Sequence, residues 1–146
     1  MNMSKNIVLA SDHAGFSLKE IIKKHLASKG IMLIDVKPIL EEGDDYPAII
    51  RDGCAKVLEH KCLGIVFGGS GIGEAIAANK VHGIRAARCC TIRDAELARR
   101  HNDANVVSLG GRLLSFERAK RMVDTFLTTG FDGGRHERRV KDLESF

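Results

Sequence analysis

Glu74 stands at the end of the most glycine-rich stretch of the chain, GIVFGGSGIGEAIAANK, which runs from Gly64 to Lys80. An apolar strand leading through Gly68, Gly69, Gly71 and Gly73 into an Ala-rich helix gathers backbone N–H groups at the positive end of a helix dipole. Such a turn is an anion site. It lacks the GK[ST] of a P-loop, and Gly69-x-Gly71-x-Gly73 is not the GxGxxG spacing of a dinucleotide fingerprint. Close helix–strand packing alone would call for the same glycines. Glu74 also has two readings. In the first turn of a helix it complements the dipole by roughly 0.3–1 kcal/mol. Beside an oxyanion site it is also what proton abstraction next to a carbonyl requires, the carboxylate taking a carbon-bound proton while N–H groups hold the enediolate oxygen.

Other chemistry-bearing residues follow apolar runs. Asp12 and His13 come directly after NIVLAS, and Gly110, Gly111 and Arg112 directly after NVVSLG. Taken alone, Asp12 reads equally well as a helix cap and His13 as a surface residue. His101, in RRHNDANVV, precedes an apolar run instead of following one. It is either a cation at a helix C-terminus or a residue that enters the pocket of a neighbouring subunit.

The elements that must position these groups are legible as alternating runs. Five strand-length apolar segments, NIVLAS, IMLIDV, LGIVFG, IRAARC and NVVSLG, are separated by helical spacing. The helical positions include Leu18, Ile21, Ile22 and Leu26, then Ile50, Cys54, Val57 and Leu58, and later Phe116, Ala119, Val123, Phe126 and Leu127. Ser17 with Glu20 has the spacing of a capping box, and Ser115 is placed to cap the helix after the fifth strand. The alternation predicts an α/β fold: a doubly wound, five-stranded parallel sheet with helices on both faces. Ligands of such sheets bind beyond the carboxyl ends of the strands, where Asp12-His13, the glycine turn and Gly110–Arg112 converge. The tail GGRHERRVKDLESF predicts a charged final helix with Val140 and Leu143 as its apolar anchors, packing on a partner subunit.

Bulk properties narrow the field. A chain of 146 residues, 44% hydrophobic and 29% charged, makes one domain spanning residues 1–146. No apolar run reaches the roughly 18 residues a membrane helix needs. The N-terminal apolar run meets Asp12 too early for a signal peptide, so a cytoplasmic protein is expected. Cys54, Cys62, Cys89 and Cys90 lack CxxC spacing, which speaks against a metal or disulfide framework. The net charge of +4 is carried by arginines crowded into the last third. With one Tyr and no Trp to stack on bases, that charge suits a small anion better than nucleic acid.

Four motifs in order, SDHAGF, GGSGIGEAIAANK, RHNDANVVSLGGR and GGRHERRV, carry a resemblance over nearly the whole chain. The sequence resembles ribose-5-phosphate isomerases of type B, a family that also holds galactose-6-phosphate isomerase subunits. The resemblance implies a Rossmann-like fold and a cofactor-free, metal-free interconversion of ribose 5-phosphate and ribulose 5-phosphate in the pentose phosphate pathway. It implies a homodimer with shared active sites, or a dimer of such dimers. Glu74 would be the base between C1 and C2. Gly69, Ser70, Gly71, Ile72 and Gly73 would form the anion hole, with the Ser70 hydroxyl near the sugar oxygens. His101, together with Asp12, would move protons in ring opening, and Asn102 would bind sugar. Arg112, Arg135, His136, Arg139 and His13 would hold the phosphate. Many relatives instead carry a cysteine base at the position of Gly68 and no glutamate at that of Glu74. The rival readings are the same chemistry on a six-carbon sugar phosphate, allose or galactose 6-phosphate, and a sugar-phosphate binding module without turnover.

Overall fold

The structure, a computed structural model, describes residues 6–146, so the start of the N-terminal run, residues 1–5, lies outside the described residues. Its strands are β1 (Asn6–Ser11), β2 (Met32–Asp35), β3 (Leu63–Gly68), β4 (Ala86–Arg88) and β5 (Val106–Gly110). Its helices are α1 (Phe16–Ala27), α2 (Tyr46–His60), α3 (Ile72–Asn79), α4 (Ile92–Asn102), α5 (Phe116–Thr128) and α6 (Arg135–Glu144). The strands form one parallel sheet in the order β2-β1-β3-β5-β4. Among the described residues no helix is long and apolar enough to cross a membrane.

Successive strand residues point to opposite faces, and the two cores follow from that alternation. Ile7, Leu9, Ile65, Phe67, Val107 and Leu109 pack with Leu18 and Ile22 of α1, Ala95 of α4 and Met122 and Phe126 of α5. Val8, Ala10, Val66 and Val106 pack on the other face with Ile50, Cys54 and Val57 of α2 and Ala78 of α3. Both faces are therefore covered, as the near-continuous apolar strands require. Phe116, counted with the apolar face of α5, is 46% exposed.

Capping differs from the sequence reading at one helix. Ser17 lies inside α1, whose N-cap is Gly15, and the chain enters α1 through a 3-10 turn capped by Asp12, whose Oδ1 accepts from Gly15 N–H. The capping box is found instead at α4, between Thr91 and Asp94. Ser115 caps α5 as expected, accepting from Arg118 N–H. The Cys89–Cys90 pair lies just beyond β4, with Cys89 buried. The final helix forms as expected, and within its own chain Val140 is buried, Glu144 pairs with Arg85, and α6 packs beside α4. Leu143 stays exposed.

One buried charge ties the edge strand to the loop that follows it. Lys19 of α1 has no exposed surface, and its Nζ donates to Asp35 at 2.6 Å, to Glu20 at 2.9 Å and to the carbonyl of Lys37 at 3.1 Å. Burial alone would push the Asp35 carboxyl up, but hydrogen bonds from Lys19 and Lys23 hold it below the ordinary aspartate value. This carboxylate therefore stabilises the fold above its unfolded pKa, and that contribution is lost as pH falls through the folded one. Lys19→Met should cost about 1–3 kcal/mol at neutral pH, since it strips a buried carboxylate of one donor. By calorimetry that is a drop of roughly 2–4 °C per kcal/mol in a domain of this size. The difference from the parent should narrow in acid, where Asp35 is protonated.

Candidate active site

The sheet changes winding direction between β1 and β3, and the segments leaving these two strands open a crevice at their carboxyl ends. A pocket of about 610 Å³ lies there, lined by Asp12 and His13 after β1, Gly69, Ser70, Ile72, Gly73 and Glu74 after β3, and Arg112 after β5. Eight of the residues singled out in the sequence thus come together from three strand ends. The remaining lining includes Tyr46, Ala14 and Leu113.

Glu74 is only 4% exposed, in the first turn of α3. Burial pushes its carboxyl above the ordinary glutamate value, and the neighbouring Asp12 charge adds to the rise. The backbone N–H groups of Glu74 itself and of Gly71 oppose it without reversing it. The competition between desolvation and the dipole, open on sequence grounds, is won by desolvation. The result is a carboxylate with its proton affinity moved toward neutrality, as a general base needs. Its carboxyl group fills the space in which a Cβ on Gly68 would have to lie. A side chain at 68 and a glutamate carboxyl at 74 therefore cannot share this site.

The turn is held from several sides. Gly71, the N-cap of α3, has φ of 80°, a left-handed conformation that favours glycine. Its carbonyl accepts from the Ser108 hydroxyl at 2.7 Å, and the carbonyl of Ser70 accepts from Arg88 Nε at 3.0 Å. Gly111 and Arg112 donate their N–H groups to Gly68 and Gly69 carbonyls, pinning the segment after β5 to the turn. Not every N–H of the turn is free for an anion: Ile72 N–H donates to the Ser70 hydroxyl at 3.2 Å. The turn thus satisfies part of its own donor set, while Gly71 N–H stabilises the charged Glu74.

Asp12 is both readings at once, a cap for the 3-10 turn and a pocket carboxylate. His13 is tied to Asp44 in the loop before α2. One pocket residue, Tyr46, and the partner of another, Asp44 on His13, have no signal in the sequence motifs. Both follow β2, whose carboxyl end falls under the same strand-end rule. The Tyr46 ring packs directly on Gly73, at the mouth of the glycine turn.

His101, Asn102, Arg135, His136 and Arg139 do not enter this pocket. His101 and Asn102 end α4, just before β5, on the opposite edge of the sheet, and the other three lie on α6. His101 and His136 stack there with ring centroids 4.3 Å apart and planes within 10° of parallel. Desolvation and the His101 charge push His136 below the ordinary histidine value. Asn102 instead lines a larger cavity of about 830 Å³ with Arg85 and Glu144, away from the Gly68–Gly73 turn and Glu74. Among the described residues no group of His, Cys, Asp or Glu side chains could hold a metal ion.

Comparison with known proteins bears on this geometry. A family described as Ribose/Galactose Isomerase matches residues 7–143. The chain is 43% identical to a probable ribose-5-phosphate isomerase B of Mycoplasma genitalium, covering 97% of this chain and 95% of the relative. It is 41% identical to ribose-5-phosphate isomerase B of Escherichia coli, covering 95% and 94%. Among solved structures, a ribose 5-phosphate isomerase of Thermotoga maritima superimposes with a TM-score of 0.94 at 46% identity, covering 97% of this chain and 98% of that one. The Mycoplasma genitalium enzyme with bound ribulose 5-phosphate superimposes with a TM-score of 0.93 at 40% identity, covering 99% and 97%.

The overlap between a residue-68 side chain and the Glu74 carboxyl is open to direct measurement. In Gly68→Ala the new methyl group should expel the carboxyl toward solvent, and its titration midpoint, followed by carbon NMR, should fall back toward the ordinary glutamate value. An unchanged midpoint would mean that the carboxyl group tolerates the methyl in place.

Proposed function

The chain belongs to the ribose/galactose isomerase family, and on that premise we propose that Glu74 carries the proton between C1 and C2 as ribose 5-phosphate and ribulose 5-phosphate interconvert. The reaction is an aldose–ketose isomerisation, the activity for which its relatives are named and whose ketose is bound in a neighbouring structure. The observation that carries the residue assignment is the buried carboxylate of Glu74 beside the glycine turn. A site built only to hold a phosphate would gain nothing from a buried negative charge.

In the forward direction His101 assists opening of the furanose ring by giving a proton to the ring oxygen or taking one from the anomeric hydroxyl. Glu74 then removes the C2 proton of the open aldose, and the electron pair moves into the C1 carbonyl to give an enediolate. Backbone N–H groups of the turn stabilise that oxyanion, each such donor contributing about 2.7–4 kcal/mol in comparable sites. Glu74 returns the proton to C1 while the proton of the C2 hydroxyl passes to the C1 oxygen, so that C2 becomes the carbonyl and C1 carries the hydroxyl. Arg112 and His13 hold the phosphate end, remote from the reacting carbons, where binding energy orients the chain of the sugar.

The residues on the far edge enter this scheme through a second copy. His101 and the basic face of α6, with Arg135, His136 and Arg139, belong in the pocket of a partner subunit, which makes the working unit a homodimer. An apolar strip supports this reading: Ile72 and Ile76 of α3 are 49% and 58% exposed, and Leu113 and Phe116 are 61% and 46% exposed. Ile72 and Leu113 line the pocket itself, so a partner covering the strip also closes the site. A phosphorylated pentose as substrate suits a cytoplasmic enzyme.

Glu74→Gln should retain the fold and phosphate binding while losing roughly 10²–10⁴-fold in turnover and the exchange of the C2 hydrogen with solvent, followed by NMR in heavy water. Near-normal exchange would sink the assignment. In the parent, kcat/KM should fall as pH drops through the raised pKa of Glu74, because a protonated carboxyl cannot accept the proton. That decline should therefore begin at higher pH than an ordinary glutamate would give. Mixing inactive His101→Ala and Glu74→Gln subunits should restore activity in heterodimers, and no recovery would count against a site shared between chains.

A further inference from the structure

Asp44 sits in the loop between β2 and α2, far from His13 in sequence, yet one of its carboxylate oxygens accepts two hydrogen bonds from that residue. The His13 backbone N–H lies at 2.8 Å and the ring Nδ1 at 2.9 Å. The Asp44 side chain is 5% exposed, whereas that of His13 is 31% exposed and lines the pocket. A carboxylate only accepts, so Nδ1 must carry its hydrogen. Nε2 is then the ring nitrogen left to meet an occupant, and it donates only when the ring is cationic.

We propose that Asp44 is a positioning residue for the phosphate end of the substrate: it clamps the His13 ring with Nδ1–H inward and stabilises the imidazolium, which presents Nε2–H to a phosphate dianion. The proposal rests on His13 being a phosphate ligand. A buried carboxylate is costly beside a neutral partner and far less so beside a cation, so burial of Asp44 itself favours the charged ring. The charges around His13 act in the same sense. Its pKa is raised, chiefly by the hydrogen bond to Asp44, with burial opposing and the charges of Asp12, Asp44 and Glu42 adding to the rise. Glu74 and Arg112 line the same pocket from the segments after β3 and β5. The loop carrying Asp44 is anchored at its start by the Lys19 bond to the Lys37 carbonyl, and α2 begins just after it at Tyr46.

Asp44→Asn keeps the shape and an oxygen for the His13 N–H while removing the charge. The His13 ring titration, followed by NMR without substrate, should move to lower pH. Affinity for inorganic phosphate, read from the same ring signals, should weaken on the order of tenfold near neutrality, because the variant ring carries less positive charge than the parent ring. KM for ribose 5-phosphate should rise by more than kcat falls, and the loss should shrink in acid, where the ring is protonated in both. A lowered thermal midpoint with an unchanged His13 titration would overturn the proposal, as would a shifted titration with unchanged phosphate affinity. His13→Ala separates the two levels. If it weakens phosphate binding and Asp44→Asn does not, the role of Asp44 fails. If neither does, the reading of His13 as a phosphate ligand fails first.

Discussion

Much of this site depends on one steric exclusion: the volume beside Gly68 holds either a side chain on residue 68 or the carboxyl group of Glu74. Because residue 68 is glycine, the carboxylate folds back under the turn and is almost wholly removed from water. Desolvation then lifts its proton affinity, and the N–H groups that pull the other way are those of the same turn. The buried carboxyl group and the glycine turn thus belong to one short segment, so their relative geometry is set by local backbone more than by distant packing.

The parallel sheet supplies the rest. With β1 and β3 adjacent, the Asp12–His13 turn and the glycine turn must open side by side, and the β3–β5 pairing brings the Gly110–Arg112 segment against them. These segments leave the carboxyl edge. The α4 terminus with His101 arrives at the amino edge, just before β5. The basic helix α6 lies with α4 on that far side, so the chain displays the two halves of its proposed chemistry at opposite edges. The proposed homodimer would bring the halves together, with the exposed apolar residues of α3 as a surface for the second copy.

Much of the fold was legible in residue order. The runs NIVLAS and LGIVFG coincide with β1 and β3, and NVVSLG overlaps all of β5, because strands covered on both faces must be apolar along their length. IRAARC was legible less well: β4 is an edge strand of three residues, and an edge needs less apolar sequence. Ser17 misled because the spacing of a capping box says nothing of a 3-10 turn inserted ahead of the helix. Asp44 and Tyr46 were missed for a different reason. Neither stands in a glycine-rich or repeated pattern, and the contact of Asp44 with His13 and the place of Tyr46 in the pocket depend on how a loop of ordinary composition crosses the sheet edge.

By itself the sequence determined the alternation of strands and helices, the convergence of strand-end residues, and the presence of a carboxylate beside a glycine turn. These follow from periodicity and nearest neighbours along the chain, which residue types dictate directly. Only the tertiary structure decided that burial outweighs the helix dipole at Glu74, that Gly68 and Glu74 contend for one volume, and that Asp44 holds His13. Each of these depends on how many atoms surround a group and from which direction, and that information exists only once segments distant in sequence are packed together.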